Sequence, residues 1–280
     1  MEKWREVYSE EQIKKVQQIE MKNFQVLSEV CDKLGIKFFA YGGTLIGAVR
    51  HRGFVPWDDD FDVGMLREDY IKFVTLAGDY LPDEYVLQTP YNTHRTPYSY
   101  SKLRLKGTQY VEYGYHKLNI DFGIYIDIYP IDNLPDDDKL YLRQFRRYQR
   151  FSKMYAWRQC PYLSSEERTL KVCCKKVIKK CVSFALKIFP QRYLVKKLDK
   201  IATAYNTQPT KRSGNYNFPK PVNVFYGVVP FEKGEFEGTE ILLPGGWNEH
   251  LTSRYGDYMT LPPEEERLGH KPYLLDFGKY

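Results

Sequence analysis

The chain lacks a long apolar run. No stretch of its 280 residues approaches the roughly 20 apolar residues of a membrane-spanning helix. The N-terminus, Met1-Glu2-Lys3-Trp4-Arg5-Glu6, is charged where a secretory leader would be apolar. Cysteine is scarce. Cys31, Cys160, Cys173, Cys174 and Cys181 form no C-x-x-C pair, and without an export signal they are expected to be reduced thiols. No histidine falls between 160 and 181, so this stretch lacks the pattern of a zinc knot. These absences predict a cytoplasmic protein, with peripheral attachment to the inner membrane face as the one membrane association left open.

What is abundant is aromatic and basic. Hydrophobic residues make up 42% and aromatics 16% of the chain, with 25 tyrosines. That suffices for one large or two small cores. The net charge of +6 is unevenly spread. Between Lys139 and Lys200 there are 18 Lys or Arg against three Asp or Glu, so the rest of the chain is acidic. In Leu170–Phe189 the positions Leu170, Cys174, Val177, Cys181, Phe184 and Ile188 make an apolar stripe among Lys171, Lys175, Lys176, Lys179, Lys180 and Lys187. Two readings fit: a basic amphipathic helix over 170–200 resting on an anionic membrane, or a stripe packed on the domain with solvated lysines. No nucleic-acid motif accompanies the charge, so nucleic acid is not an expected partner.

The rest of the chain is organised around residues 41–65. Ile36–Tyr41 reads as a buried strand, and Gly42-Gly43 lets the backbone turn and approach a ligand. Thr44–Val49 would start a helix whose free N–H groups seat phosphate, with Gly42, Gly43 and Thr44 as contacts. Arg50, His51 and Arg52 follow as candidate phosphate holders, or as partners of the next segment. That segment is Asp58-Asp59-Asp60-Phe61-Asp62. In a strand, Asp58, Asp60 and Asp62 would share one face, with Asp59 pointing away. Two carboxylates about 4 Å apart repel by roughly 4 kcal/mol at an effective dielectric of 20. A hard divalent cation, Mg2+ or Mn2+, relieves that repulsion. The alternative is an acidic surface turn, but the apolar Trp57, Phe61, Val63 and Met65 around the run favour a metal site.

Strand, Gly-Gly turn, helix and Asp-x-Asp on the next strand resemble the nucleotidyltransferase pattern. Gly42 to Asp62, with Pro56-Trp57-Asp58-Asp59-Asp60 inside it, is similar to the signature of the LicD family, phosphotransferases of bacterial surface glycans related to the fukutin group. The resemblance is strongest over 36–70 and continues at Ile124–Asp132 and Tyr255–His270, but not over 136–212. It implies transfer of a phospho-alcohol, phosphocholine above all or glycerol or ribitol phosphate, from a CDP-linked donor to a sugar hydroxyl of a glycan or lipid-linked glycan acceptor. It also implies a third carboxylate on a neighbouring strand. Asp127, inside Gly123–Pro130, fits best, with Asp121 and Asp132 as alternatives. Asp60, Asp62 and Asp127 are then the catalytic acids, and Asp58, Asp60, Asp62 and Asp127 the metal ligands. The family's C-terminal pattern makes His270 a candidate site residue.

Elsewhere, residues 9–34 read as an amphipathic helix with a capping box at Ser9 and Gln12. Tyr98–Glu112 alternates as a long strand or a hairpin turning at Gly107, with Lys102 and Arg104 either aimed at a diphosphate or on a solvated face. The expected fold is α+β: a nucleotidyltransferase-like mixed sheet with packed helices and a basic helical insertion. The expected organisation is 1–135 as catalytic core, 136–212 as the basic helices and 213–280 completing the catalytic domain. Two rivals stay open, a nucleotidyltransferase releasing pyrophosphate and a non-catalytic glycan- or membrane-binding scaffold.

Overall fold

The structure, a computed structural model, describes residues 9–163, 169–221, 224–267, 269–270 and 272–280. Helix α1 (Glu10–Leu34) begins at the expected capping box: Ser9 Oγ accepts from Gln12 N–H, and the Gln12 side chain accepts from Ser9 N–H. It ends at Gly35, whose φ of 61° few other residues adopt without strain. Its apolar face, including Phe24, Leu27 and Val30, packs into the main core.

A mixed sheet supports the acidic segment. Strands β1 (Phe39–Ala40), β2 (Asp62–Leu66), β3 (Tyr85–Gln88), β4 (Ser101–Leu105) and β6 (Tyr125–Leu134) lie in the order β1-β2-β6-β4-β3. Only β2 and β6 pair in parallel; the other pairs are antiparallel. Between β1 and β2 run α2 (Gly42–Ile46), a π-helical turn (Gly47–His51) and a loop. Helix α3 (Arg67–Leu76) follows β2 directly. The far end of β6 pairs with β7 (Arg212–Gly214), which pairs with β8 (Val224–Tyr226).

Two expectations need correcting. The strand before the glycines is only Phe39–Ala40, because the residues before it pair with nothing in the sheet. The chain does turn at Gly107, but β5 (Gln109–Val111) does not return along β4. It pairs instead with β11 (Leu274–Asp276), near the C-terminus.

The basic region is helical: α4 (Asp138–Gln159), α5 (Leu170–Leu186) and α6 (Gln191–Ala202). The acids at its start act as a cap, with Asp137 accepting from Leu140 N–H at 2.8 Å. Helices α4 and α6 build a second core around Tyr141, Phe145, Leu194, Leu198 and Tyr216. The hairpin β9 (Glu232–Phe236) and β10 (Thr239–Leu243) drives Phe236 against Phe54 and Phe61 at 4.9 and 5.0 Å between ring centroids. Helix α7 (Trp247–Tyr255) buries His250.

His250 stacks on Phe225 at 3.9 Å, and its Nδ1 lies 2.9 Å from the Val224 carbonyl. Burial pushes it down to about 4 from an ordinary 6.5, so it stays neutral in the fold while the unfolded chain takes up the proton first. Stability is unaffected above pH 6.5 and falls as pH drops from there to about 4, by about 3 kcal/mol at most. Urea denaturation between pH 4 and 7 should show this dependence, and His250→Phe should flatten the difference curve in that window.

Candidate active site

The site forms where β2 and β6 run side by side. Their register sets Asp62 opposite Asp127. Asp62 opens β2, so it is the only acid of the Asp58–Asp62 run held by strand pairing. Asp58 and Asp60 sit in the preceding loop, not on a strand. Their convergence therefore comes from the loop's ties. Gln17 Nε2 on α1 donates to the Asp58 carbonyl at 2.8 Å, and Phe61 is buried beside Phe24 at 5.1 Å. Thr44 Oγ1 accepts from Asp62 N–H at 2.8 Å, joining the glycine turn to the strand.

The two glycines make the room. A Cβ on Gly42 would lie 2.2 Å from Asp62 Oδ2, and one on Gly43 would lie 2.2 Å from Asp58 Oδ2. Gly42 also has a φ of +54°, so it combines a left-handed backbone with close approach.

Crowding shows in the protonation energetics. Burial raises the Asp58 carboxyl first, and the neighbouring Asp60, hydrogen-bonded to it, raises it further. Burial likewise raises Asp60. Asp62 is raised by burial and then by Asp60, Asp127 and Asp58. Its Oδ1 is buried without a hydrogen-bond partner. An array of carboxylates with an unpartnered inward oxygen is a hard-cation donor set. On this chemistry the residues fit a divalent metal.

Asp127 has a different setting. Lys102 Nζ, 1% exposed, lies 2.6 Å from its Oδ1, because β4 places Lys102 opposite Asp127. Burial raises the Asp127 carboxyl, and Lys102 opposes that shift. Tyr129 O–H donates to Asp127 Oδ2 at 3.3 Å. The two alternative acids have other duties. Asp132 accepts from the Arg67 guanidinium, with Nε to Oδ1 at 2.8 Å, and Asp121 Oδ1 accepts from Gly123 N–H at 2.9 Å.

The other expected residues divide. Arg50 donates to the Tyr258 carbonyl at 2.6 Å and through Nε to His51 Nε2 at 2.9 Å. Burial lowers both Arg50 and His51. Arg50 lines a cleft of about 630 Å³ with Gly43, Trp57, Asp58, Tyr255 and Tyr258. Arg52 is exposed, 3.9 Å from Glu235, and the structure does not bring it to the acids. Arg104, fully buried, donates to Gln88 Oε1 at 3.2 Å and to the Gly123 carbonyl at 2.8 Å, again away from Asp58–Asp62.

Asp59 enters a buried polar knot rather than pointing clear of the run, with a carboxylate oxygen within 4.8 Å of one on Asp58. It accepts from Tyr110 O–H at 2.6 Å, His270 N–H at 2.8 Å and His270 Nδ1–H at 3.0 Å. Burial works against the Asp59 charge, yet these bonds hold its carboxyl below the ordinary value. The same pairing raises His270. His270 also lies 3.5 Å from Asp60 Oδ2. Asp58, Asp59 and His270 offer ligand atoms all within 4.8 Å of one another. Sequence reasoning missed Tyr110, Gln17 and the cleft aromatics, since nothing local marks them.

Residues 35–159, which hold all four acids and Lys102, match the family model described as LicD/FKTN/FKRP, nucleotidyltransferase domain. This stretch, a little under half of the chain, is similar to the LicD family. The chain is 28% identical over 257 residues to the lipopolysaccharide cholinephosphotransferase LicD of Haemophilus influenzae, covering 88% of this chain and 92% of that one. A shorter match, 42% identical over 49 residues, links it to the human ribitol 5-phosphate transferase FKRP, covering 18% of this chain and 10% of that one.

Two outcomes test the geometry. Gly43→Ala should drive Asp58 aside and weaken Mg2+ or Mn2+ binding at least about tenfold by calorimetry, with the circular dichroism unchanged. Lys102→Met should strand the buried Asp127 charge and destabilise the protein by about 3–5 kcal/mol. Adding Asp127→Asn should recover most of that loss in a urea-unfolding cycle.

Proposed function

We propose that the protein is a metal-dependent phosphotransferase moving a phospho-alcohol, phosphocholine foremost, from a CDP-linked donor to a sugar hydroxyl of a glycan or its lipid-linked precursor. The observation that carries this reading is the set of acids gathered at the β2–β6 junction under Gly42 and Gly43, within a domain matched to LicD. Among the described residues the sheet is mixed and helix-backed, which accords with a nucleotidyltransferase-like core carrying a basic helical insertion.

Asp58, Asp60 and Asp62 would hold the cation, Mg2+ or Mn2+, with Asp127 beside them. Such an ion supplies charge neutralisation at the donor's diphosphate. Gly42, Gly43 and Thr44 let the donor's phosphates approach the backbone closely. Arg50, anchored on Tyr258, is placed at the cleft to pair with a phosphate oxygen. Trp57, Tyr255 and Tyr258 line that cleft with Glu266. Aromatic faces with a carboxylate suit a quaternary ammonium or a nucleobase, which supports choline as the transferred alcohol. Asp127 takes the proton of the acceptor hydroxyl, with Lys102 opposing the rise that burial imposes on its carboxyl. Asp59 and His270 position the loop from below.

Nucleotidyl transfer would use the same acids on an NTP, so product analysis decides between the two. The protein, with Mg2+ or Mn2+, should release CMP slowly from one of CDP-choline, CDP-glycerol or CDP-ribitol, and faster when a glycan acceptor is present. Asp60→Asn should abolish that release. Pyrophosphate from CTP or ATP would replace this reading with nucleotidyl transfer.

A further inference from the structure

Helix α5 is docked the opposite way round from an ordinary amphipathic surface helix. Its covered positions are Val172, Lys176, Lys179, Val182, Ser183 and Leu186, and Ser183 alone is fully buried. The apolar stripe faces outward. Leu170, Val177 and Phe184, seven residues apart on one line, are 82%, 59% and 77% exposed. Cys173, Cys174, Ile178 and Cys181 lie exposed between them, and Ile188 continues the stripe at 79%. The covered side is mixed, with Val172, Val182 and Leu186 beside Lys176, Lys179 and Ser183, and leaving the larger apolar stripe in water is costly. Among the described residues, nothing covers the stripe.

The stripe's surroundings identify what would cover it. Lys171 and Lys175 are exposed on one flank, and Lys180 and Lys187 on the other. Residues 170–189 contain six lysines and no acid. At the end of α5, a cleft of about 390 Å³ is lined by His94, Arg95, Lys117, Arg158, Tyr162 and Lys187, with no carboxylate among the described residues of its wall. A second copy of the chain would set the same lysines against each other, which like-charge repulsion opposes. An acidic protein would meet the lysines but leave a continuous apolar ridge to be filled.

We propose that α5 lies in the surface of an anionic lipid bilayer, its Leu170–Val177–Phe184 ridge among the acyl chains and its flanking lysines among the phosphates. Lysines on both sides of an apolar stripe match the layering of a membrane interface, with carbon below and charge at headgroup level. Each lysine near an anionic surface adds to the attraction, and salt screens it. The Arg95–Lys117–Arg158–Lys187 cleft then faces a headgroup phosphate. The helix is too short and too charged to cross the bilayer; no described helix is long and apolar enough to do so. The surface stands apart from the catalytic acids, so its test does not depend on the reaction.

The test is flotation of the purified full chain with vesicles of phosphatidylglycerol and phosphatidylcholine, against pure phosphatidylcholine vesicles. Binding should be at least about tenfold stronger to the anionic vesicles and should fall steeply with added salt. Val177→Gln with Phe184→Gln should lower it at least about tenfold. Lys171→Glu with Lys180→Glu should do the same. All four side chains are exposed, so circular dichroism and melting should match the wild type. Absence of binding to the anionic vesicles would overturn the proposal, as would glutamine and glutamate variants that bind like the wild type. A concentration-dependent dimer, dissolved by the glutamine variant and indifferent to vesicles, would assign the ridge to self-association instead.

Discussion

Carboxylate repulsion is the constraint around which this fold is arranged. Asp58, Asp60, Asp62 and Asp127 crowd one junction: Asp60 raises the proton affinity of Asp58 and Asp127, and Asp60, Asp127 and Asp58 all raise that of Asp62. At about 4 Å a single such pair opposes folding by roughly 4 kcal/mol at an effective dielectric of 20. The sheet resists that force through pairing that cannot slip. A one-residue shift of β2 on β6 would turn Val63 and Met65 out of the core. Asp62 is thus held beside Asp127 by the apolar residues that alternate with it, while Asp58 and Asp60 are brought in by the ties of their loop.

The same logic extends beneath the site. Lys102 reaches Asp127 because β4 places them opposite each other, and Arg104, two residues on, lies in the same buried layer among Gln88, Gly123 and Tyr125. Helix α1 brings Gln17, Glu20 and Asn23 to this side on successive turns. Gln17 ties down the acid loop, and Asn23 donates to the Ile124 carbonyl at 3.1 Å ahead of β6. Glu20 between them is buried, with Oε2 unpartnered. Burial first, and then Asp60, raise its carboxyl well above the ordinary range. Burial therefore works against a fifth charge beneath the site acids.

The sequence was most legible where chemistry is local. The Ser9–Gln12 box and the Gly35 stop are properties of consecutive residues, and the structure has them where expected; the helix expected from Thr44 instead opens at Gly42 and gives way to a π-helical turn at Gly47. The acidic run was legible as a cluster but not as a shape. Alternation suggested a strand through Asp58, whereas β2 begins only at Asp62 and a loop gathers the rest. What holds that loop lies far away in the chain: Gln17, Tyr110 and His270. Pairing of β5 with β11 was hidden for the same reason, since it joins residues more than 160 positions apart. The orientation of α5 could not be read either. A stripe states which residues share a face, and only the packed fold states whether that face looks inward.

The uneven charge of the chain has a structural logic of its own. Acid and base could have neutralised each other directly, with the lysines of α4–α6 folded onto the Asp cluster. Among the described residues none of them pairs with Asp58, Asp59, Asp60, Asp62 or Asp127. The anchor between the helical layer and the sheet is instead Arg67 on α3, held by Asp132 and Asp199. That ion pair uses one cation from the sheet side and one acid from α6, so it ties down the basic helices without placing their lysines among the site acids. A mobile ammonium near the acids would compete with any divalent ion for the same oxygens. The lysine admitted there, Lys102, is fixed on a strand and paired with Asp127, while His270 reaches Asp59 and Asp60 from the C-terminal segment. Keeping the basic helices on their own layer leaves Asp58, Asp60 and Asp62 free of their lysines, which is a condition the proposed metal site requires.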